Sequence, residues 1–162
     1  MTTEWRLGGR EVAGWGTVAN HGGGYSYRLC KVGPGGRAEL TEECFQRTPL
    51  KFASAMSWVQ YGEDETARKI FFLANRTTAG TWPVGSEWSK NPIPNCAGLT
   101  GGFLDQDSSC PDGLQFPAPA PGLFGHGSNI HTPGVTDFQW TVMDELEVPA
   151  DLAPGEYVLS FR

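Results

Sequence analysis

Three histidines (His21, His126 and His131) and four cysteines (Cys30, Cys44, Cys96 and Cys110) are the residue types here best suited to hold a metal or build a cross-link. The cysteines lack the close C-x₂₋₄-C pairing of structural zinc sites. Their even number points instead to disulfides, with 30–44 and 96–110 as local pairs, although four cysteines allow three connectivities. His126 and His131 fall in a Gly/Pro stretch without metal-ligand spacing and read as solvated loop residues. His21 differs because Ala19-Asn20-His21-Gly22-Gly23-Gly24-Tyr25 displays an imidazole where a strand passes into a glycine turn. An imidazole held at a sheet rim is a fair metal ligand, though such a residue most often has no role. The carboxylate pairs Glu42-Glu43 and Asp144-Glu145 are adjacent in sequence, so on strands they point to opposite faces and form no glycosidase dyad. Both pairs read as surface charge.

Other catalytic signatures are missing. No G-x-x-x-x-G-K-[ST] cradle occurs, and the glycine runs at 22–24 and 101–102 open no helix. Gly125-His126-Gly127-Ser128-Asn129 lacks the closing glycine of a nucleophile elbow. Asn75-Arg76-Thr77 is an N-glycosylation sequon at the end of an apolar run, and predicts a modified surface position.

The elements that must carry these residues are short. The chain has 162 residues, room for one domain with a real core. It contains 22 Gly and 12 Pro, about a fifth of the total, against roughly 12% in average usage. Aromatics at 12%, six of them Trp, argue for packing rather than disorder. A net charge of −6 disfavours nucleic acid and anionic membranes as partners, since both call for a basic face. No apolar run is long enough to span a bilayer.

Strand signals recur between turns. Residues 12–19 read as one strand, and Tyr25, Tyr27 and Leu29 alternate with Ser26, Arg28 and Cys30 to give one apolar face. Runs at 58–61 and 69–74 follow, the second apolar on both faces as in a sandwich interior. Glu63-Asp64-Glu65 between them reads as a solvated hairpin tip. Residues 80–136 form a long Gly/Pro-rich insertion that the 96–110 pair would staple. Phe138, Trp140 and Val142 share one face of a later strand, and Tyr157, Leu159 and Phe161 share one face of the last. The pattern predicts a single all-β domain over 1–162, an antiparallel β-sandwich with long loops.

Two blocks resemble a known family. Val18-Ala-Asn-His21-Gly-Gly-Gly-Tyr-Ser-Tyr-Arg-Leu-Cys30 and Leu40-Thr-Glu-Glu-Cys44-Phe-Gln-Arg-Thr-Pro-Leu50 are similar to the lytic polysaccharide monooxygenases, in particular the chitin-binding type-4 group. Softer matches are Asn91-Pro-Ile-Pro-Asn-Cys96, Gln115-Phe116-Pro117 and Pro154-Gly155-Glu-Tyr-Val-Leu-Ser-Phe161. The resemblance implies an immunoglobulin-like sandwich, secretion, and one copper ion in a brace of an N-terminal histidine and a second imidazole. His21 matches that second imidazole, and Tyr25 or Tyr27 would face substrate or support the site. It further implies an oxidative attack on chitin, cellulose or a cell-wall glucan, driven by an external electron donor.

Here Met1 stands where the brace would start, and Met1-Thr2-Thr3-Glu4-Trp5 has neither the basic nor the apolar stretch of a signal peptide. The expectation is a piece of a longer secreted protein, with little activity alone. The alternative is a non-catalytic polysaccharide-binding or wall-structural module that uses an exposed Trp among positions 5, 82 and 88.

Overall fold

The computed structural model describes residues 2–17, 20–62, 66–98, 110–125 and 140–162. Among the described residues, ten strands and one short α-helix run in the order β1 (Arg10–Trp15), β2 (Gly24–Tyr25), β3 (Tyr27–Lys31), α1 (Glu42–Gln46), β4 (Lys51–Phe52), β5 (Met56–Tyr61), β6 (Arg68–Leu73), β7 (Arg76–Thr77), β8 (Trp88–Lys90), β9 (Thr141–Glu147) and β10 (Tyr157–Phe161). A five-stranded sheet takes the order β1-β9-β5-β6, with β4 also paired to β9. A β10-β3 pair and a β2-β8-β7 sheet complete the antiparallel set. The fold is an all-β sandwich.

The core follows from period-2 alternation. Tyr25, Tyr27 and Leu29 meet Ala13, Phe52 and Leu146 of the five-stranded sheet. A second cluster gathers Val59, Val142 and Trp140 with Ile93, Ala120 and Leu123 from the irregular segments. The opposite face of β3 is covered too. Arg28 and Cys30 are buried, the latter by the disulfide that ties β3 to α1. Both local cysteine pairs form, Cys30–Cys44 and Cys96–Cys110, as expected for a chain that folds in an oxidising environment. No helix among the described residues is long and apolar enough to cross a membrane.

The structure corrects several sequence expectations. β1 ends at Trp15 rather than at 19, where Gly16 weakens further pairing. His21 therefore lies in the turn before β2, not at the tip of β1. β6 is not apolar on both faces in a sandwich interior. It is the last strand of its sheet, and only Ile70 and Phe72 pack inward, while Phe71 and Leu73 are 60% and 74% exposed. An apolar run alone does not distinguish an edge from a centre. Asp144 is not a surface carboxylate but fully buried. His126, His131, Phe138 and the 63–65 hairpin tip lie outside the described residues.

Candidate functional site

Three polar constructions stand out: the turn that carries His21, a buried cluster around Asp144, and a surface cleft beside α1. The first is an asparagine clasp. Asn20 is buried, and its Nδ2 donates to Ile93 O at 3.0 Å and to Asn95 Oδ1 at 3.3 Å. Its Oδ1 accepts from Asn91 Nδ2 at 2.8 Å and from Gly22 N at 2.9 Å. Gly22 and Gly23 have φ of 74° and 86°, in the left-handed region that glycine enters freely, so the chain reverses at once behind the clasp. His21 is thereby held exposed at the surface by buried neighbours. Asn91 and Asn95 carry no local sequence signal for this role, since their hydrogen bonds to Asn20 span more than 70 positions.

The second construction explains Tyr25 and Tyr27. Both are about 2% exposed, so neither is a substrate-facing group. Their hydroxyls donate to Asp144, Tyr25 to Oδ1 at 3.3 Å and Tyr27 to Oδ2 at 3.1 Å. Ser57 Oγ donates to Oδ1 at 2.5 Å, and Arg76 Nη2 reaches the same oxygen at 3.4 Å. Arg76 also donates to Ser54 O and to Ser57 Oγ, and its guanidinium lies 3.9 Å from the Phe52 ring centroid. Burial pushes the Asp144 carboxyl above the usual carboxylate range, and its Ser57, Tyr25, Tyr27 and Arg76 partners only partly oppose the shift. Burial likewise raises both tyrosines far above the ordinary phenol value, with the Asp144 charge adding to it. A phenol so placed stays protonated and serves as a hydrogen-bond donor. The cluster is buried and is a device of the core.

The third construction faces solvent. A cleft of about 620 Å³ has the β2-β8-β7 sheet as its floor, through Gly24, Thr77, Ser89 and Lys90. Its wall is α1, through Glu42 and Gln46, and the loop after β7 contributes Trp82. Trp82 is 63% exposed, yet its Nε1 donates to Gln46 Oε1 at 3.1 Å, which fixes the indole without covering it. Thr41 caps α1 by accepting from Cys44 N, and the Cys30–Cys44 bond anchors the helix to β3. Glu42 Oε1 accepts from Arg28 Nη1 and Arg162 Nη1, each at 2.7 Å, and from Gln46 Nε2 at 3.1 Å. The hydrogen bond from Arg28 holds the Glu42 carboxyl below the usual range. Asn75 of the sequon is exposed and lines the same cleft. Of the other tryptophans considered, Trp5 is part-buried against the core and Trp88 lines the cleft half-buried.

Comparison with known protein families, curated proteins and solved structures returned no match. The functional reading therefore stands on the geometry and on the sequence resemblance.

A copper brace calls for a set of nitrogen donors, and the described residues bring one imidazole, His21, to the surface. No group of three or more His, Cys, Asp or Glu side chains able to hold a metal occurs among the described residues. The described donors do not by themselves fit a three-nitrogen brace, and no chemical step is derived through copper.

Proposed function

We propose that this chain is a secreted β-sandwich module that binds an extended polysaccharide of the chitin, cellulose or cell-wall glucan class in the Trp82 cleft. The observation that carries the reading is an exposed indole, fixed by Gln46, on an open cleft beside the β2-β8-β7 sheet. Pyranose rings offer C–H faces that pack on an aromatic plane, and equatorial hydroxyls that bond to side chains at the rim. Thr81 and the exposed Lys90 supply such partners here. The cleft volume lies inside the roughly 300–1,000 Å³ range of sites that enclose small ligands. Two disulfides suit a secreted protein.

Trp82→Ala is expected to weaken retention on insoluble chitin, cellulose or β-glucan by at least about tenfold, the size of effect typical when a central Trp is truncated. Because Trp82 is mostly exposed, its removal should leave the melting temperature nearly unchanged. Equal retention of the variant and the native chain would refute the reading.

The oxidative reading is favoured by one observation, the exposed His21 on its clasped turn. In that reading His21 would supply one imidazole ligand to a copper ion. The chain's own contribution is a backbone turn held by Asn20, which presents His21 at the surface. Titration of copper(II), followed by its electron paramagnetic resonance spectrum, should show at least a tenfold weaker site in His21→Ala. An unchanged spectrum and affinity would remove His21 from any copper site.

A further inference from the structure

We infer that Asn75 carries an N-linked glycan that lies in the Trp82 cleft and competes there with external polysaccharide. The inference rests on the cleft reading above and adds an occupant from the chain itself. Side chains alternate about β7. Arg76 turns inward to Asp144, while Asn75 and Thr77, the two residues a glycosylating enzyme must recognise, are exposed on the other side. Both line the cleft together with Trp82 and Lys90. The backbone beneath them is fixed, since Lys90 N donates to Asn75 O at 2.7 Å and Thr77 Oγ1 accepts from Ala79 N at 3.0 Å. A sugar attached at Asn75 thus starts at the cleft lining, beside an indole whose face is open.

Glycosylation takes place as the chain enters the secretory pathway, before Arg76 is buried. Asn75 Nδ2 attacks the anomeric carbon of an oligosaccharide carried on a lipid pyrophosphate. The N-glycosidic bond forms, the bond from that carbon to the pyrophosphate oxygen breaks, the lipid pyrophosphate leaves, and one amide proton goes to solvent. The first N-acetylated sugars then lie within reach of Trp82. They present the same pyranose chemistry as the external ligand, so the attached glycan acts as a tethered competitor at high effective concentration.

The test is to express the full chain through a eukaryotic secretory pathway and compare it with Asn75→Gln and Thr77→Ala, which delete the sequon through different atoms. Glycopeptide mass spectrometry reads occupancy. Hydroxyl-radical footprinting reads protection at Trp82, and calorimetry with chitin, cellulose and β-glucan oligosaccharides reads affinity. The expected result is an occupied Asn75, Trp82 at least twofold less reactive in the glycoprotein, and both variants binding oligosaccharide at least tenfold more tightly. An unmodified Asn75 overturns the inference, as does equal Trp82 reactivity in all three proteins. If no form binds oligosaccharide while Trp82 is shielded only in the glycoprotein, the tethered glycan stands and the polysaccharide reading fails. If affinity for oligosaccharide is the same with and without the glycan, competition is refuted.

Discussion

Asp144→Ala should lower the melting temperature by roughly 10 °C. Removing one partner of a buried charge pair typically costs about 3–5 kcal/mol, and a chain of this size loses about 2–4 °C per kcal/mol. The substitution strands three hydroxyl donors at once, those of Tyr25, Tyr27 and Ser57, and removes the carboxylate that faces the Arg76 guanidinium. Asp144→Asn keeps one acceptor oxygen and the side-chain volume, and should cost less. An apolar replacement of both charges, Asp144→Leu with Arg76→Met, should recover much of the loss, since a buried pair often exchanges for hydrophobic residues without penalty. Thermal melts of the three variants check the order. If Asp144→Ala melts within about 2 °C of the native chain, the cluster contributes nothing to stability.

The same residue gives a pH signature. The folded Asp144 carboxyl sits above its ordinary value because of burial. Between the two values the folded chain holds a proton that the unfolded chain has released, so stability falls as pH rises through that window. The Asp144 contribution is fully present below the ordinary Asp range and is lost as pH passes the raised folded value. Asp144→Asn cannot titrate, so the gap between native and variant melting temperatures should narrow as pH climbs. Glu42, held low by Arg28, works in the opposite sense, with stability lost as pH falls. Glu42 is present in both proteins, so its effect cancels in the comparison. A gap that widens with pH would contradict the burial argument.

Loss of the Cys30–Cys44 bond should cost about 3 kcal/mol, the chain-entropy value for a loop of about this length, where the two cysteines are 14 positions apart. It should also damage the cleft. Cys44 lies within α1, which contributes Glu42 and Gln46 to the wall, and Gln46 in turn fixes Trp82. The Cys30→Ala/Cys44→Ala protein should therefore lose both stability and polysaccharide retention. Cys96 and Cys110 are also 14 positions apart, so their removal should cost a similar amount of stability. That bond touches no part of the cleft lining, so retention should survive. Equal retention in both double variants at a temperature where both are folded would separate α1 from the binding surface.

Much of this architecture was legible in the sequence because it depends on short-range pattern. Alternation at 25–29 placed Tyr25, Tyr27 and Leu29 on the core face, and cysteine spacing offered both disulfides as local pairs. The burial of Asp144 does have a signal in the sequence. The alternation that put Trp140 and Val142 inside also puts 144 and 146 there, and only the charge argued otherwise. What opposed that expectation was a set of donors from β2, β3, β5 and β7, and no local pattern announces partners so distant. The asparagine clasp stayed hidden for the same reason. Trp82 was one of three exposed candidates. Only the fold separates it from Trp5, packed against the core, and from the half-buried Trp88.

The inward face of β9 reads Val142, Asp144, Leu146, a single polar residue between apolar neighbours. A slip by one residue would turn every side chain to the wrong face and is rejected by hydrophobicity. A slip by two keeps the apolar alternation and would be nearly invisible to it. Such a slip would set Val142 or Leu146 against the Tyr27 hydroxyl and Arg76, and would carry the carboxylate into hydrocarbon. The carboxylate thus acts as a proofreading mark on strand assembly: it tells apart two alignments that greasy contacts alone would score as equals.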